Sequence, residues 1–563
     1  MLYEIGDLLE IQGVEFKPRA YRKAAQTIET LGEDVTDIEK RGELEQIPGV
    51  GESIAAKIRE FIKKGSLQYL NDLRSKSSEG VREMTEIEGI GPKTALTLHD
   101  KLGIRSIEEL KRAAQEGKIR DIKGFGEKSE EDILESIGAF QQRKGRYLLG
   151  FILPIAEGIV EQLRSSEFVK QISVGGSIRR RKETVGDIDI LATSSEPEAV
   201  MEQFCKLPKV EKVIARGKTK STVRYPDNLQ VDLRVIQEET YGAALQYFTG
   251  SKAHNIALRK IALDRGMKLS EYGLVQKKDN SMVAGKTEEE VYRALGLAWI
   301  PPELRENRGE IAAAQEHSLP VLVKREDIRG DLHVHTSWSE GNRSIEDMVT
   351  EARDAYEYEY IAICDHTKAL PIARGMDEER IHEQMKEIEQ LNRQMEGITI
   401  LCGVEANINK EGNLDIASEV RRDLDLVVAS IHSGFRQTEK ELTERLLHAM
   451  HLDYVDVIAH PMGRLLTKRG PLRMDRARVF DAAADTGVFL EINGFPTRLD
   501  LPDHDCQEAR NHGVEFVIST DSHDITHLRY MELGVATARR GWLEKGQVKN
   551  TLPLTEFRKS LDR

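Results

Sequence analysis

Asp331-Leu332-His333-Val334-His335 opens a series of segments in which histidine or a carboxylate follows directly on a short apolar run. The others are Cys364-Asp365-His366, Gly403-Val404-Glu405, Ser430-Ile431-His432, Ala459-His460-Pro461 and Thr520-Asp521-Ser522-His523, with Glu340 just after the first. One histidine by itself is ordinarily a hydrogen-bonded structural residue. Imidazoles and carboxylates recurring at the ends of successive strands are different, because an α/β barrel converges its functional groups there. Such a mixed donor set suits Mn²⁺, Zn²⁺ or Fe²⁺ rather than structural calcium. Its size allows two or three ions, which can generate hydroxide and polarise a phosphoester.

A second set consists of carboxylates alone. Gly175-Gly176-Ser177-Ile178-Arg179-Arg180 is followed by Gly186-Asp187-Ile188-Asp189-Ile190, and Asp232 stands about 40 residues on in Val231-Asp232-Leu233-Arg234-Val235. Alternate residues of a strand face one side, so Asp187 and Asp189 point together. Asp232 on a neighbouring strand would complete three hard oxygen donors, the kind Mg²⁺ takes beside substrate phosphates. Two such ions activate an attacking hydroxyl and stabilise a departing pyrophosphate. Gly176, Ser177 and Arg180 would hold a triphosphate by N–H, hydroxyl and guanidinium contacts.

The elements that must position these groups divide the chain. Residues 1 to about 140 read as short helices broken by a recurring turn: Ile47-Pro48-Gly49-Val50-Gly51, Ile87-Glu88-Gly89-Ile90-Gly91 and Ile122-Lys123-Gly124-Phe125-Gly126. Three copies at intervals of roughly 35–40 residues indicate a repeated supersecondary unit. Each leaves free N–H groups at the start of a helix, which can hold a phosphate without reading a base. From about 147 to 235 the pattern is β-rich, helical sequence returns around 240–266, and residues 301–328 are polar and carry Pro301-Pro302 and Pro320. From 329 onward short apolar strands alternate with helical stretches, the rhythm of an α/β barrel or sheet.

At 563 residues the chain exceeds one hydrophobic core. No apolar run approaches the roughly 20 residues of a membrane helix, and the start, MLYEIGDLLE, is no secretion signal, so a cytoplasmic location and no membrane partner are expected. The cysteines, Cys205, Cys364, Cys402 and Cys506, form no CxxC pair. The net charge of −14 would argue against nucleic acid, but its distribution is uneven. Of 82 basic and 96 acidic residues, 50 and 52 fall in 1–320, leaving 32 and 44 in 321–563. Basic clusters at Arg143-Lys144-Gly145-Arg146, at Arg179 to Lys182, and at Lys209, Lys212, Arg216, Lys218 and Lys220 are of the kind that ordinarily lies on solvated faces.

Tyr247-Phe248-Thr249-Gly250-Ser251-Lys252-Ala253-His254-Asn255, continuing to Arg259, joins the GS, GDIDI and VDLR blocks in an order that resembles the family X DNA polymerases, of which DNA polymerase beta is one. The likeness covers about residues 1–315. It implies a helix-hairpin-helix, lyase-like DNA-binding region over 1–140, a nucleotidyltransferase palm over 141–238, a helical thumb over 239–315 and a linker over 316–328. By the same likeness Asp187, Asp189 and Asp232 are the catalytic carboxylates, with Mg²⁺ or Mn²⁺ as cofactor, and Arg234 sits behind them. Tyr247 and Phe248 belong to the sugar pocket, Gly250 is a further substrate-binding position, and Asn255 and Arg259 contact the minor-groove side of the nascent pair. Lys57 falls on the family's Schiff-base lysine, and Lys17 and Tyr21 on its 5′-phosphate site. Lys252 and Ser53 depart from the animal enzyme, which has an acidic and a basic residue there. The three Gly-x-Gly turns resemble helix-hairpin-helix motifs, which bind DNA backbone and often a monovalent cation.

The histidine blocks resemble the PHP (polymerase and histidinol phosphatase) domain, a distorted (βα)7 barrel with a trinuclear metal site, over 329–563. The likeness implies nine ligands: His333, His335, Glu340, His366, Glu405, His432, His460, Asp521 and His523, with Glu340 where Asp is frequent. The whole then reads as a repair polymerase of the bacterial and archaeal type. It would act as a monomer on gapped or nicked duplex DNA and deoxynucleoside triphosphates. Its barrel would be a 3′-5′ exonuclease that also acts at abasic sites or on 3′ phosphates, and Lys57 would give 5′-deoxyribose-phosphate lyase activity. Two alternatives make the barrel a small-molecule phosphatase or a non-catalytic structural module.

Overall fold

Glycine at positive φ sets the architecture of the N-terminal region. Gly49, Gly89 and Gly124 have φ of +83°, +81° and +99°, a conformation open to glycine without steric cost. In each copy the residue after it donates its N–H back to an isoleucine carbonyl: Val50 to Ile47 at 2.9 Å, Ile90 to Ile87 at 3.0 Å and Phe125 to Ile122 at 3.0 Å. The second glycine of each turn then leads directly into a helix, Glu52–Lys64, Pro92–Leu102 or Glu127–Arg143. The computed structural model describes residues 1–29, 35–75, 79–85, 87, 89–143, 145–370 and 373–561. Glu88 of the second turn and Lys144 of the first basic cluster lie outside them.

The palm is a five-stranded sheet in the order Gln171–Val174, Asp187–Thr193, Leu229–Ile236, Lys220–Tyr225, Lys212–Arg216. Its central pair is parallel and the rest antiparallel. The β-rich expectation for 147–235 omits the helix Leu149–Arg164 that covers this sheet. Its buried residues Leu149, Ile152, Leu153, Ala156, Val160 and Leu163 form one helical stripe, but exposed Phe151 and Pro154 and half-buried Ile155 fill the gaps, so its first turns read as an unbroken apolar run. A Cβ at Gly150 would stand 2.7 Å from Pro496 and 2.8 Å from Leu533, which shows how closely the two domains approach. The palm core accordingly includes Leu466, Leu499, Tyr530 and Leu533.

The thumb comprises the helices Tyr241–Thr249, Lys252–Asp264 and Glu288–Ala294 around a three-stranded antiparallel sheet. Residues around 316–328 do not hang free between domains: Leu322 enters the thumb core, as does Trp542 from the C-terminal domain, while Val323 and Ile328 enter the barrel core.

The C-terminal domain is a parallel barrel of seven strands in sequence order, Gly330–Val334, Tyr360–Ile363, Thr399–Asn407, Leu426–Ser430, Val457–Ile458, Phe489–Asn493 and Phe516–Ser519. A helix follows each strand, as parallel pairing requires of its crossovers. A parallel bridge between Val334 and Ser522 brings the first strand against the end of the last. All residues of these strands except Thr399 and Cys402 are buried. No helix among the described residues is long and apolar enough to cross a membrane.

Candidate active sites

Strand register brings the three aspartates together. Asp187–Thr193 and Leu229–Ile236 run parallel with Asp189 opposite Asp232, and Asp187 lies two residues before Asp189 on the same face. The turn after Val174 closes over them: Gly175 donates its N–H to the Asp189 carbonyl at 2.8 Å. Gly176 has φ +60°, and a Cβ there would stand 2.9 Å from Asp189 Oδ2, so only glycine admits this approach of backbone to carboxylate. Burial, then the charges of Asp187 and Asp232, push the Asp189 carboxyl up to about 6 against the pull of Arg234 and Lys220. Burial and Asp232 also raise Asp187. Three carboxylates crowded on adjacent strands, two of them raised by burial and by their neighbours' charge, are a donor set that fits divalent cations. Lys220, which the sequence reading placed only in a basic cluster, lies 3.5 Å from Asp232 Oδ2.

The surrounding groups are held in two ways. Arg234 lies over the Phe248 ring at 4.5 Å, Arg259 over Tyr247 at 5.4 Å, and the two rings meet edge to face at 5.1 Å. Asn255 donates to the Tyr247 carbonyl at 2.7 Å and accepts from Gln246 at 2.7 Å, so its amide fixes the helix end that presents both rings. Ser177 lies on the Gly176–Arg179 turn. The neighbouring Arg180 faces the thumb: it donates to the Thr249 carbonyl and, at 3.0 Å, to Glu306, with Gly250 packed on its guanidinium. Arg179 makes a two-pronged pair with buried Glu288 at 2.7 and 2.8 Å. Together with Lys182, whose ammonium burial pushes down, Arg179 and Arg180 form a half-buried ion-pair network rather than a solvated face. The strand Lys212–Arg216, by contrast, is exposed throughout.

Lys57, on the helix Glu52–Lys64, donates to the Ser53 carbonyl at 3.0 Å and to its hydroxyl at 2.9 Å. Its ammonium faces the rings of Tyr69 at 4.8 Å and Tyr21 at 5.9 Å. Lys17 is exposed one turn before Tyr21 on Lys17–Glu29. These three residues therefore share one side of the N-terminal region.

At the barrel, eight of the nine anticipated side chains fall into three overlapping groups able to hold a metal: His335, Glu340, His366 and His523; His333, His335 and Asp521; and His366, Glu405 and His432. His460 joins through Glu405, its Nε2 3.0 Å from Oε1. His366 lies 2.7 Å from Glu340 and 2.9 Å from Glu405, and His432 lies 3.2 Å from Glu405. Burial would raise the Glu405 carboxyl, but His366, His432 and His333 hold it well below the usual carboxylate range. Burial opposes charge on His366 as well, yet Glu405 and Glu340 lift it to about 10. Burial and Arg498 take His460 down to about 4. The donor set fits metal ions on a further count. His333 Nε2 and His335 Nε2 face each other at 3.1 Å, and His335 Nδ1 and Glu340 Oε2 are buried without a hydrogen-bond partner.

Behind these ligands stands a layer that the sequence reading did not assign. Glu491 accepts from His333 Nδ1 at 2.8 Å and from the His460 backbone at 2.7 Å. Asn493 bridges Glu491 at 3.2 Å and Asp521 at 3.1 Å, and Arg498 pairs with Asp521 at 3.2 Å. Asp331 accepts from the Thr520 backbone and hydroxyl, and Asp365 from Thr336, Ser339 and Gln384. Asp331 and Asp365 stand inside the quoted blocks. The signal for Glu491 was a carboxylate in the midst of the apolar strand Phe489–Asn493.

Family profiles match in four places: a helix-hairpin-helix domain at 1–67, a SAM-like helix-hairpin-helix tandem at 81–139, the DNA polymerase beta thumb at 244–306 and a PHP domain at 331–494. A DNA polymerase/3′-5′ exonuclease PolX of Bacillus subtilis (strain 168) is 37% identical over 566 residues, spanning 100% of this chain and 98% of its own. A probable phosphatase of Thermoanaerobacter sp. (strain X514) is 28% identical over 39% of this chain and 89% of its own. DNA polymerase lambda of Arabidopsis thaliana is 26% identical over 52% of this chain and 58% of its own.

Proposed function

The chain belongs to the PolX family of family X DNA polymerases with a PHP domain, and from that premise we propose that it fills short gaps in duplex DNA and trims 3′ ends. The observation that carries the proposal is the register of Asp189 on Asp232 beneath the Gly176 turn, in the same chain as an imidazole and carboxylate cluster of eight residues that His460 joins through Glu405. Asp187, Asp189 and Asp232 would hold Mg²⁺ or Mn²⁺, which when bound supplies Lewis acidity to the primer hydroxyl and the leaving pyrophosphate. Gly176, Ser177 and Arg180 take the triphosphate of the incoming deoxynucleotide. Tyr247 and Phe248 wall its sugar, and Arg259 lies beyond Tyr247. The Gly-x-Gly turns bind the DNA backbone through free N–H groups, and a monovalent cation at their carbonyls is part of the proposal.

In the barrel the nine side chains would hold two or three ions of Mn²⁺, Zn²⁺ or Fe²⁺, whose chemistry when bound is to activate water toward a phosphodiester. Glu491 fixes the orientation of His333 through Nδ1, leaving Nε2 free for a ligand bond. Arg498, beside Asp521, offers a cation at the rim for a DNA phosphate. A second reading, a barrel acting on small phosphate monoesters, draws on the likeness to the probable phosphatases.

A labelled primer on gapped duplex separates these readings. Asp187→Ala with Asp189→Ala should abolish extension and leave shortening of the primer, whereas His333→Ala with His335→Ala should do the reverse. Turnover of p-nitrophenyl phosphate without shortening of DNA would favour the second reading. Survival of both activities in both variants would remove both site assignments.

A further inference from the structure

Arg540 is the last residue of the barrel helix Met531–Arg540, and its guanidinium is 97% buried in contact with the polymerase half. Nη1 donates to the carbonyl of Arg180 at 2.6 Å and to Glu306 Oε1 at 3.2 Å, while Nη2 donates to Asp503 at 2.6 Å. The same Glu306 oxygen accepts from Arg180 Nε at 3.0 Å. One thumb carboxylate is therefore shared between a cation of the barrel and the cation that closes the Gly176–Arg179 turn. Asp503, at the start of the barrel helix Asp503–Asn511, is shared in turn with Arg308 at 3.0 Å. None of these barrel residues touches the barrel's own ligand cluster.

We propose that Arg540 is a positioning residue for nucleotide binding: the barrel domain sets the affinity of the polymerase site for the incoming triphosphate. To reach a triphosphate, the Arg180 guanidinium must leave Glu306. With Arg540 in place, Glu306 keeps a charged partner when Arg180 departs, so no half-buried carboxylate is stranded. Without Arg540, Glu306 would depend on Arg180, its remaining hydrogen-bonded partner, with only the charge of Lys182 nearby, and the triphosphate would compete against a stronger ion pair. The bond from Arg540 to the Arg180 carbonyl also holds the end of the turn while the side chain moves. This deepens, and rests on, the reading of Gly176 to Arg180 as the triphosphate-binding segment.

The test uses the full chain, a one-nucleotide gap, dATP and Mg²⁺, with KM and kcat measured separately. Arg540→Met should raise the KM for dATP about tenfold with kcat within about twofold. Glu306→Gln in the same chain should restore KM to near the wild-type value, a rescue that a merely structural lesion would not show. Should the methionine variant not fold, Arg540→Gln keeps a polar donor for the Arg180 carbonyl but removes the charge beside Glu306, and it carries the same KM prediction. An unchanged KM, or a raised KM that Glu306→Gln does not correct, overturns the proposal. Asp189→Asn is run alongside: if that chain still extends, the polymerase-site reading itself fails, and this inference with it.

Discussion

Glu288→Gln perturbs a carboxylate of the polymerase half that accepts five side-chain hydrogen bonds. Glu288 accepts two hydrogen bonds from Arg179, two from Arg305 at 2.6 and 3.0 Å, and one from Trp299 at 3.2 Å. Arg305 is fully buried, with its guanidinium over the rings of Tyr292 and Trp299. The amide keeps the shape of the carboxylate but removes its charge and points a donor at donors. Removing one partner of a buried pair costs about 3–5 kcal/mol. An independent route agrees. Burial would raise the Glu288 carboxyl, but Arg305 and the bonds from both arginines hold it down to about 2 against an ordinary 4.5, a gap worth about 3 kcal/mol. Because the folded value is depressed, this stability is present above pH 4.5 and is lost as pH falls toward 2. Urea unfolding of both chains from pH 7 to pH 3 should therefore show a gap of about 3 kcal/mol at neutral pH, narrowing to less than half of that by pH 3. A gap below about 1 kcal/mol at pH 7, or one of constant size across the range, would refute the reasoning.

Three further outcomes are expected. Glu491→Gln should lower nuclease activity or metal affinity by roughly 10- to 100-fold through loss of the carboxylate behind His333, with primer extension unchanged; equal loss of both activities would contradict it. Stripping metal with a chelator should abolish both reactions; Mg²⁺ should restore extension, while the imidazole-rich cluster should respond to Mn²⁺ and poorly to Mg²⁺. Equal recovery of both reactions with Mg²⁺ alone would count against the barrel assignment. Lys57→Ala should eliminate borohydride trapping of the chain on a 5′-deoxyribose phosphate end, and trapping that persists would place the nucleophile elsewhere.

The chemistry was legible in the sequence wherever spacing alone determines geometry. Asp187 and Asp189 share a face because strand side chains alternate, and the Gly-x-Gly turns repeat because only glycine takes positive φ without strain. The barrel ligands could be found because parallel strands end on one face, so each His or Glu after an apolar run points to the same place. Glu491 was missed because it acts through His333, 158 residues away in the chain, and a supporting carboxylate carries no local spacing rule. The helix Leu149–Arg164 was missed because Phe151, Pro154 and Ile155, apolar but outside its buried stripe, turn the periodic pattern into a continuous apolar run with a proline inside it. What the tertiary structure alone decided is the union of the two halves. Arg540 meets Arg180 across 360 residues, and Arg179, Arg180 and Lys182, solvated by ordinary expectation, are half-buried against Glu288, Glu306 and Asp503. Charge and polarity are written in each residue, but the partner that makes a buried charge tolerable is chosen by packing between distant segments.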